Sequence, residues 1–120
     1  MDRDTNIEEL KEKVKKFSEE REWDIYHNAK ELSIGIITEA SELLEQFRFK
    51  SETEVENMFK DIKKRGEITE EMADVFYFLL RLAQRYNIDL DDELKKKMVK
   101  NKNKYPIEKS KGSNKKYNEF

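Results

Sequence analysis

The stretch ITEEMADVFYFLLRLA (residues 68–83) decides the fold. Its second half, VFYFLLRLA (residues 75–83), is apolar on nearly every side of a helix, and such a helix must be covered on more than one face. Its first half carries two acids, Glu71 and Asp74, three residues apart and therefore on one helical face. A second apolar run, LSIGIITEASELLEQF (residues 32–47), repeats the device with Glu39 and Glu42. A carboxylate in a segment that wants burial takes up a proton or finds a cation, because an unpartnered buried charge costs several kcal/mol.

Outward from these two runs the chain reads as helices throughout. Thr5 with Glu8 forms a capping-box pattern ahead of Ile7, Leu10, Val14 and Phe17, predicting a helix to about Glu20. REWDIYHNAK reads as a connector, and the second helix is expected from about Ala29 to Phe47. Gly35 lies inside it, at a loss of about 1 kcal/mol relative to Ala, which close approach by a neighbouring helix would explain. Ser51 and Glu54 open a short helix to about Lys64, with Val55, Met58, Phe59 and Ile62 inward and Gly66 placed as its C-terminal cap. The helix containing residues 68–83 is expected to start at Glu67 or Glu70 and run to Tyr86. Asp89 caps a last helix to about Lys102, and Pro106 follows. The expectation is an all-α chain of four long helices plus one short helix. Its four-helix-bundle core is completed by oligomerisation, since another subunit is the simplest cover for residues 76–82.

Composition narrows the function classes. The chain has 120 residues, 43% of them charged and only 36% hydrophobic, which suits one domain with an economical core. Three glycines and one proline are too few for the turns of an all-β domain. The absence of cysteine excludes disulfides, thiolate metal sites and a cysteine nucleophile. No apolar run reaches the roughly 20 residues of a membrane span, and MDRDTNIEEL (residues 1–10) has no signal-peptide core, so the expected setting is cytoplasmic. The net charge of −2 is uneven: from residue 95 onward ten Lys stand against two Glu (+8), leaving −10 for residues 1–94. The basic end reads as a solvated Lys-rich tail over residues 107–120, with a helical domain over residues 1–106.

Four carboxylates without a suitably placed nitrogen or sulfur ligand point to a hard ion. Di-iron bundles pair Glu with Glu-x-x-His, yet the single histidine, His27, belongs to neither acid pair. Zinc prefers nitrogen or sulfur. Mg²⁺, or Mn²⁺, accepts an all-oxygen site and keeps positions for water and phosphate oxygens. No Gly-rich phosphate loop is present as an alternative. If the two helices lie antiparallel, the pairs come nearly level. From residue type alone, Trp23 reads equally as core and as pocket wall, His27 as a cap or a pocket residue, and Tyr105 as an anchor for the tail.

The order E-x-x-E (Glu39, Glu42), an interval over residues 43–70, then E-x-x-D (Glu71, Asp74) resembles the signature of the MazG-like all-α nucleoside triphosphate pyrophosphohydrolases. WDIYHNAKEL (residues 23–32) and NKNKYP (residues 101–106) are similar to segments flanking that signature in the dCTP-hydrolysing branch, so the resemblance covers roughly residues 17–106. It implies Mg²⁺-dependent hydrolysis of nucleoside triphosphates to the monophosphate and pyrophosphate, including clearance of non-standard nucleotides, by a dimer or dimer of dimers. It implies metal ligands at Glu39, Glu42, Glu71 and Asp74. In such hydrolytic phosphoryl transfer, a carboxylate not fully engaged with metal, Glu42 by preference, is expected to orient or deprotonate the attacking water. The resemblance further implies base or pocket contacts at Trp23 and His27, and sugar and phosphate contacts at Asn101 and Tyr105. Lys30, Lys97 and Lys104 would offset phosphate charge. Phe49 stands where that branch has Trp, and Phe78 where it has Tyr, which bears on base choice. Two rivals remain at this level: a phosphoribosyl-ATP or dUTP hydrolase of the same superfamily, and a non-catalytic helical interaction protein whose basic tail binds nucleic acid. The tail has few interleaved aromatics for base stacking, so nucleic acid is the less expected partner.

Overall fold

Helix boundaries follow the local chemistry of their caps. In the computed structural model, which describes Met1–Phe120, α1 (Ile7–Glu20) begins after Asn6, whose side chain accepts from the Glu9 N–H. The cap is one residue later than the Thr5–Glu8 pattern suggests; the Thr5 hydroxyl instead donates to the Glu9 carboxylate. A turn of 3₁₀ helix (Asp24–Tyr26) leads to α2 (Ala29–Glu45), capped by Asn28. Ser51 and Glu54 form the expected capping box of α3 (Glu52–Met58).

The next boundary differs from expectation. Asp61 accepts from the Lys64 N–H and opens α4 (Ile62–Arg85), so Gly66 lies inside this helix and is not the cap of α3. Ile62, expected inward, is 92% exposed because it belongs to the solvated first turn of α4. Asp89 caps α5 (Leu90–Lys104), and a one-turn α6 (Ile107–Ser110) follows Pro106. The chain contains no strand, and the all-α expectation stands with this extra turn added. No helix is long and apolar enough to cross a membrane.

The chain divides into two compact units, Met1–Asn87 and Ile88–Phe120. In the first, α4 is the central element, packed on α2 and α1. The α2 and α4 helices run antiparallel: the Ala29 N–H donates to the Tyr86 hydroxyl at 2.7 Å, while Gly35 faces Phe78 further along. A Cβ on Gly35 would lie 2.7 Å from the Phe78 ring, so the glycine is there to let the ring seat against the α2 backbone. The α1 helix is pinned by Ser18 and Tyr77, whose hydroxyls are 2.6 Å apart. Leu32, Met58, Ile68, Leu80 and Ala83 form the small buried apolar core.

In the second unit the chain after Pro106 folds back on α5. Tyr105 meets Tyr117 and Phe120 edge-on at 6.1 and 6.0 Å, and the Lys104 ammonium lies 4.7 Å from the Tyr117 ring centre. Tyr105 therefore anchors the C-terminal segment, one of the two roles its position next to Pro106 allowed.

Candidate active site

Antiparallel packing of α2 on α4 brings together acids that lie far apart in sequence. Carboxylate oxygens of Glu39, Glu42 and Glu71 all lie within 4.8 Å of one another. Glu39 and Glu71 are half-buried and Glu42 is exposed. One oxygen of Glu39 and one of Glu71 are shut off from solvent without any hydrogen-bond partner. Asp74 is not part of this tight triplet, but its charge acts on both Glu39 and Glu71.

Electrostatics record the strain of this arrangement. Loss of hydration, followed by interaction with Glu42, pushes the Glu39 carboxyl up to about 7 from an ordinary 4.5, with Asp74 adding to the rise. Glu71 is raised for the same leading reason, again with Glu42 next. Native structures rarely leave buried carboxylate oxygens unpaired, and a cation held between these two would satisfy both. The donor set is all oxygen and fits a hard divalent ion. A second acidic group, Asp89, Asp91 and Asp92, does not compete. It is wholly exposed, Asp89 is spent capping α5, and Asp91 pairs with Lys95 at 2.8 Å.

A different polar cluster lies where α1, the 3₁₀ turn and α4 meet. Trp23 and His27 flank the turn, their rings 5.9 Å apart and tilted by 57°, and Trp23 also meets Phe17 edge-on at 5.8 Å. Trp23 thus packs on one edge while remaining 37% exposed. His27 is buried and accepts at Nδ1 from Arg81 Nε at 2.9 Å. Arg81 itself is fully buried in the middle of VFYFLLRLA, pairs with Asp24, and donates to Gln84 at 2.5 Å. Arg85 adds a bond to the His27 carbonyl at 3.3 Å. Burial first, then Arg81, holds the His27 pKa below its ordinary 6.5, with Asp24 opposing.

Sequence reasoning missed Arg81, Asp24, Gln84 and Arg85 as a group. The available signal was a lone arginine in the most apolar run of the chain, with an aspartate beside the tryptophan. Of the other residues singled out by sequence, Lys30 is exposed in the first turn of α2. Phe78 is packed over Gly35 and against Tyr77. Phe49 is 90% exposed, with backbone φ of 62° and the Arg48 guanidinium 4.6 Å from its ring centre. A bulky residue in the left-handed region is uncommon and holds the ring out from the end of α2. Within the second unit, Lys97 lines an open depression with Glu93, Lys96, Val99 and Lys100, while Asn101 is half-buried.

An antiparallel helix pair carrying E-x-x-E opposite E-x-x-D defines a family. Residues 34–120 match the MazG-like family model, and the chain belongs to the MazG-like family. The dCTP pyrophosphatase 1 of Mus musculus is 33% identical over 114 residues, spanning 95% of this chain and 67% of that protein. Its Homo sapiens counterpart is 30% identical over 114 residues, with the same coverage. The crystal structure of a pyrophosphatase from Archaeoglobus fulgidus aligns with a TM-score of 0.77 and 38% identity, covering 82% of this chain and 91% of that one. The resemblance to the dCTP-hydrolysing branch read from the sequence is borne out by these relatives.

Proposed function

We propose that this MazG-like enzyme is a nucleoside triphosphate pyrophosphohydrolase. It hydrolyses deoxynucleoside triphosphates, dCTP and its modified forms first among them, to the monophosphate and pyrophosphate. The observation that carries the reading is the convergence of Glu39, Glu42 and Glu71, with two unpaired buried oxygens, in a chain whose relatives are dCTP pyrophosphatases. Glu39, Glu42, Glu71 and Asp74 hold Mg²⁺, with Mn²⁺ a chemically close substitute. When bound, the ion supplies positive charge against the triphosphate oxygens and lowers the pKa of coordinated water.

The chain's own residues do the rest. Glu42, the solvent-facing carboxylate of the triplet, orients a water and takes its proton as the water oxygen bonds to phosphorus. The phosphoric anhydride bond opens and pyrophosphate leaves. Trp23 offers a partly exposed face for the base and His27 a polar atom beside it. Phe49 and Phe78 are proposed base contacts on the resemblance. Lys30, Lys97 and Lys104 are proposed as counter-charges to phosphate, and Asn101 and Tyr105 as sugar and phosphate contacts, on the same ground.

The working form is proposed to be a dimer or dimer of dimers. Ile34, Ile37 and Leu44 of α2 and Met72, Phe76 and Leu79 of α4 are exposed, more apolar surface than a helix pair normally leaves to water. Light scattering on the purified protein tests this; a strict monomer overturns it. The activity is tested by product identification across standard and modified deoxynucleoside triphosphates with and without Mg²⁺. Monophosphate and pyrophosphate from dCTP are expected. Strong preference for phosphoribosyl-ATP or dUTP would move the chain to another branch of the superfamily, and no turnover of any nucleotide would overturn the assignment.

A further inference from the structure

An arginine guanidinium is always protonated and can only donate. Arg81 Nε donates to His27 Nδ1, so Nδ1 carries no proton and the imidazole must carry its single proton on Nε2. Protonating Nδ1 as well would set one N–H against another across a 2.9 Å contact. Arg81 is fully buried, donates from its other two nitrogens to Asp24 and Gln84, and is ion-paired with Asp24, so its charge is compensated inside the chain. The charged groups around the imidazole are Asp24 on its own turn and Arg81 and Arg85 on α4. Nε2–H has no partner within the chain, and the Trp23 ring centre lies 5.9 Å from that of the imidazole.

We propose that Arg81 is a positioning residue that fixes His27 as the neutral Nε2–H tautomer, so that the imidazole donates a hydrogen bond to the base of a nucleotide held against Trp23. This deepens the proposed function and rests on it. A neutral donor adds no charge against a triphosphate, so its complement is a carbonyl oxygen or an unprotonated ring nitrogen, as on the O2/N3 edge of cytosine. Asp24 completes the device by offsetting the buried guanidinium, which would otherwise stand uncompensated next to the ring.

His27 is the only histidine of the chain, so ¹⁵N NMR of the substrate-free protein reads one pair of ring nitrogens. The expected spectrum has Nε2 protonated and Nδ1 bare from about pH 6 to pH 8, across the ordinary imidazole titration. An Nδ1–H form, or the averaged mixture of a free imidazole, overturns the proposal. Arg81→Met keeps an apolar-compatible chain at a buried site but removes the donor. It should release the tautomer and raise KM for dCTP about tenfold with kcat within about twofold. Arg81→Lys, which can still donate to Nδ1, should restore most of both.

An unchanged KM in a folded Arg81→Met protein overturns the positioning role. If that variant does not fold, His27 itself decides. Gln keeps an N–H near the Nε2 position and should bind dCTP within a few-fold of the parent, whereas Leu should lose about tenfold or more. Equal binding by the two overturns the donor role. A fixed Nε2–H form in a protein that turns over no nucleotide would defeat the functional reading and the nucleotide acceptor, while leaving the Arg81–His27 tautomer lock in place.

Discussion

The α2–α4 pair places charge inside apolar helices twice, with opposite outcomes. Around Arg81, charge is compensated by the chain itself: the guanidinium donates to the Asp24 carboxylate, the Gln84 amide and the His27 Nδ1. Around Glu39 and Glu71, like charges are gathered and two oxygens are left with nothing. A charge compensated within the chain tunes its neighbours. A cluster that is incomplete, and incomplete with one sign of charge, is built for something from solution. That contrast supports the proposed metal centre at the carboxylates without reference to any relative.

The largest effects should come from emptying the open cluster of charge. Glu39→Gln or Asp74→Asn is expected to reduce Mg²⁺-dependent turnover by about 10²-fold or more, the scale of losing a group that stabilises transition-state charge. The protein should remain folded. Because the triplet is mutually repulsive, the metal-free Glu39→Gln protein should melt no lower than the parent and should lose the Mg²⁺-induced rise in Tm. Normal activity with an intact Mg²⁺ shift in either variant would remove these residues from the site.

The closed cluster should respond in the opposite way, through stability. Asp24→Asn leaves the buried Arg81 guanidinium without its carboxylate. Breaking a fully buried pair typically costs 3–5 kcal/mol, but Asp24 is 43% exposed, so about 2 kcal/mol is expected, read from urea midpoints. Mg²⁺ should still raise the Tm of this variant. A variant as stable as the parent would show that Gln84 and His27 suffice to hold the guanidinium.

How much of this was legible in advance follows from the range of each interaction. The acid pairs and α2 could be read because spacing and caps are local. Gly35 could be read as a close approach, though Phe78 as its neighbour could not. The start of α4 was misread because its first turn is solvated: Ile62 supplied an apolar residue at the right spacing for α3 but is exposed, and Gly66 mimicked a cap. The Arg81–His27 bond joins residues 54 apart in sequence, and no local pattern encodes it. The lysines of the tail are exposed, as a solvated segment requires, but its contact to Tyr105 through Tyr117 and Phe120 has no local signal in the sequence.

The two α-helical glycines sharpen the same distinction between a filled and an open environment. A Cβ at Gly35 meets the Phe78 ring at 2.7 Å, so Gly35→Ala should destabilise by about 1–2 kcal/mol, overpacking outweighing the better helix propensity. At Gly66 a Cβ meets nothing within 4 Å, so Gly66→Ala should stabilise by about 0.5–1 kcal/mol. Thermal melts decide both, and equal signs would mean that α2 and α4 are not as closely packed at Gly35 as this geometry requires.

The smallest effect separates the two clusters by pH. Glu39 is raised in the folded protein from 4.5 to about 7, so the folded state binds the extra proton more readily. That contribution to stability is fully present below about pH 4.5 and is lost as the pH rises through about 7. His27 is lowered from 6.5, so its contribution is present above 6.5 and lost as the pH falls through the folded value. Metal-free protein should therefore lose stability from the carboxylates between about pH 4.5 and 7, and Glu39→Gln should flatten that fall. Mg²⁺ competes with the proton for the same oxygens, so its Tm shift should be larger near pH 8 than near pH 6. A Mg²⁺ shift that is independent of pH would place the ion away from Glu39.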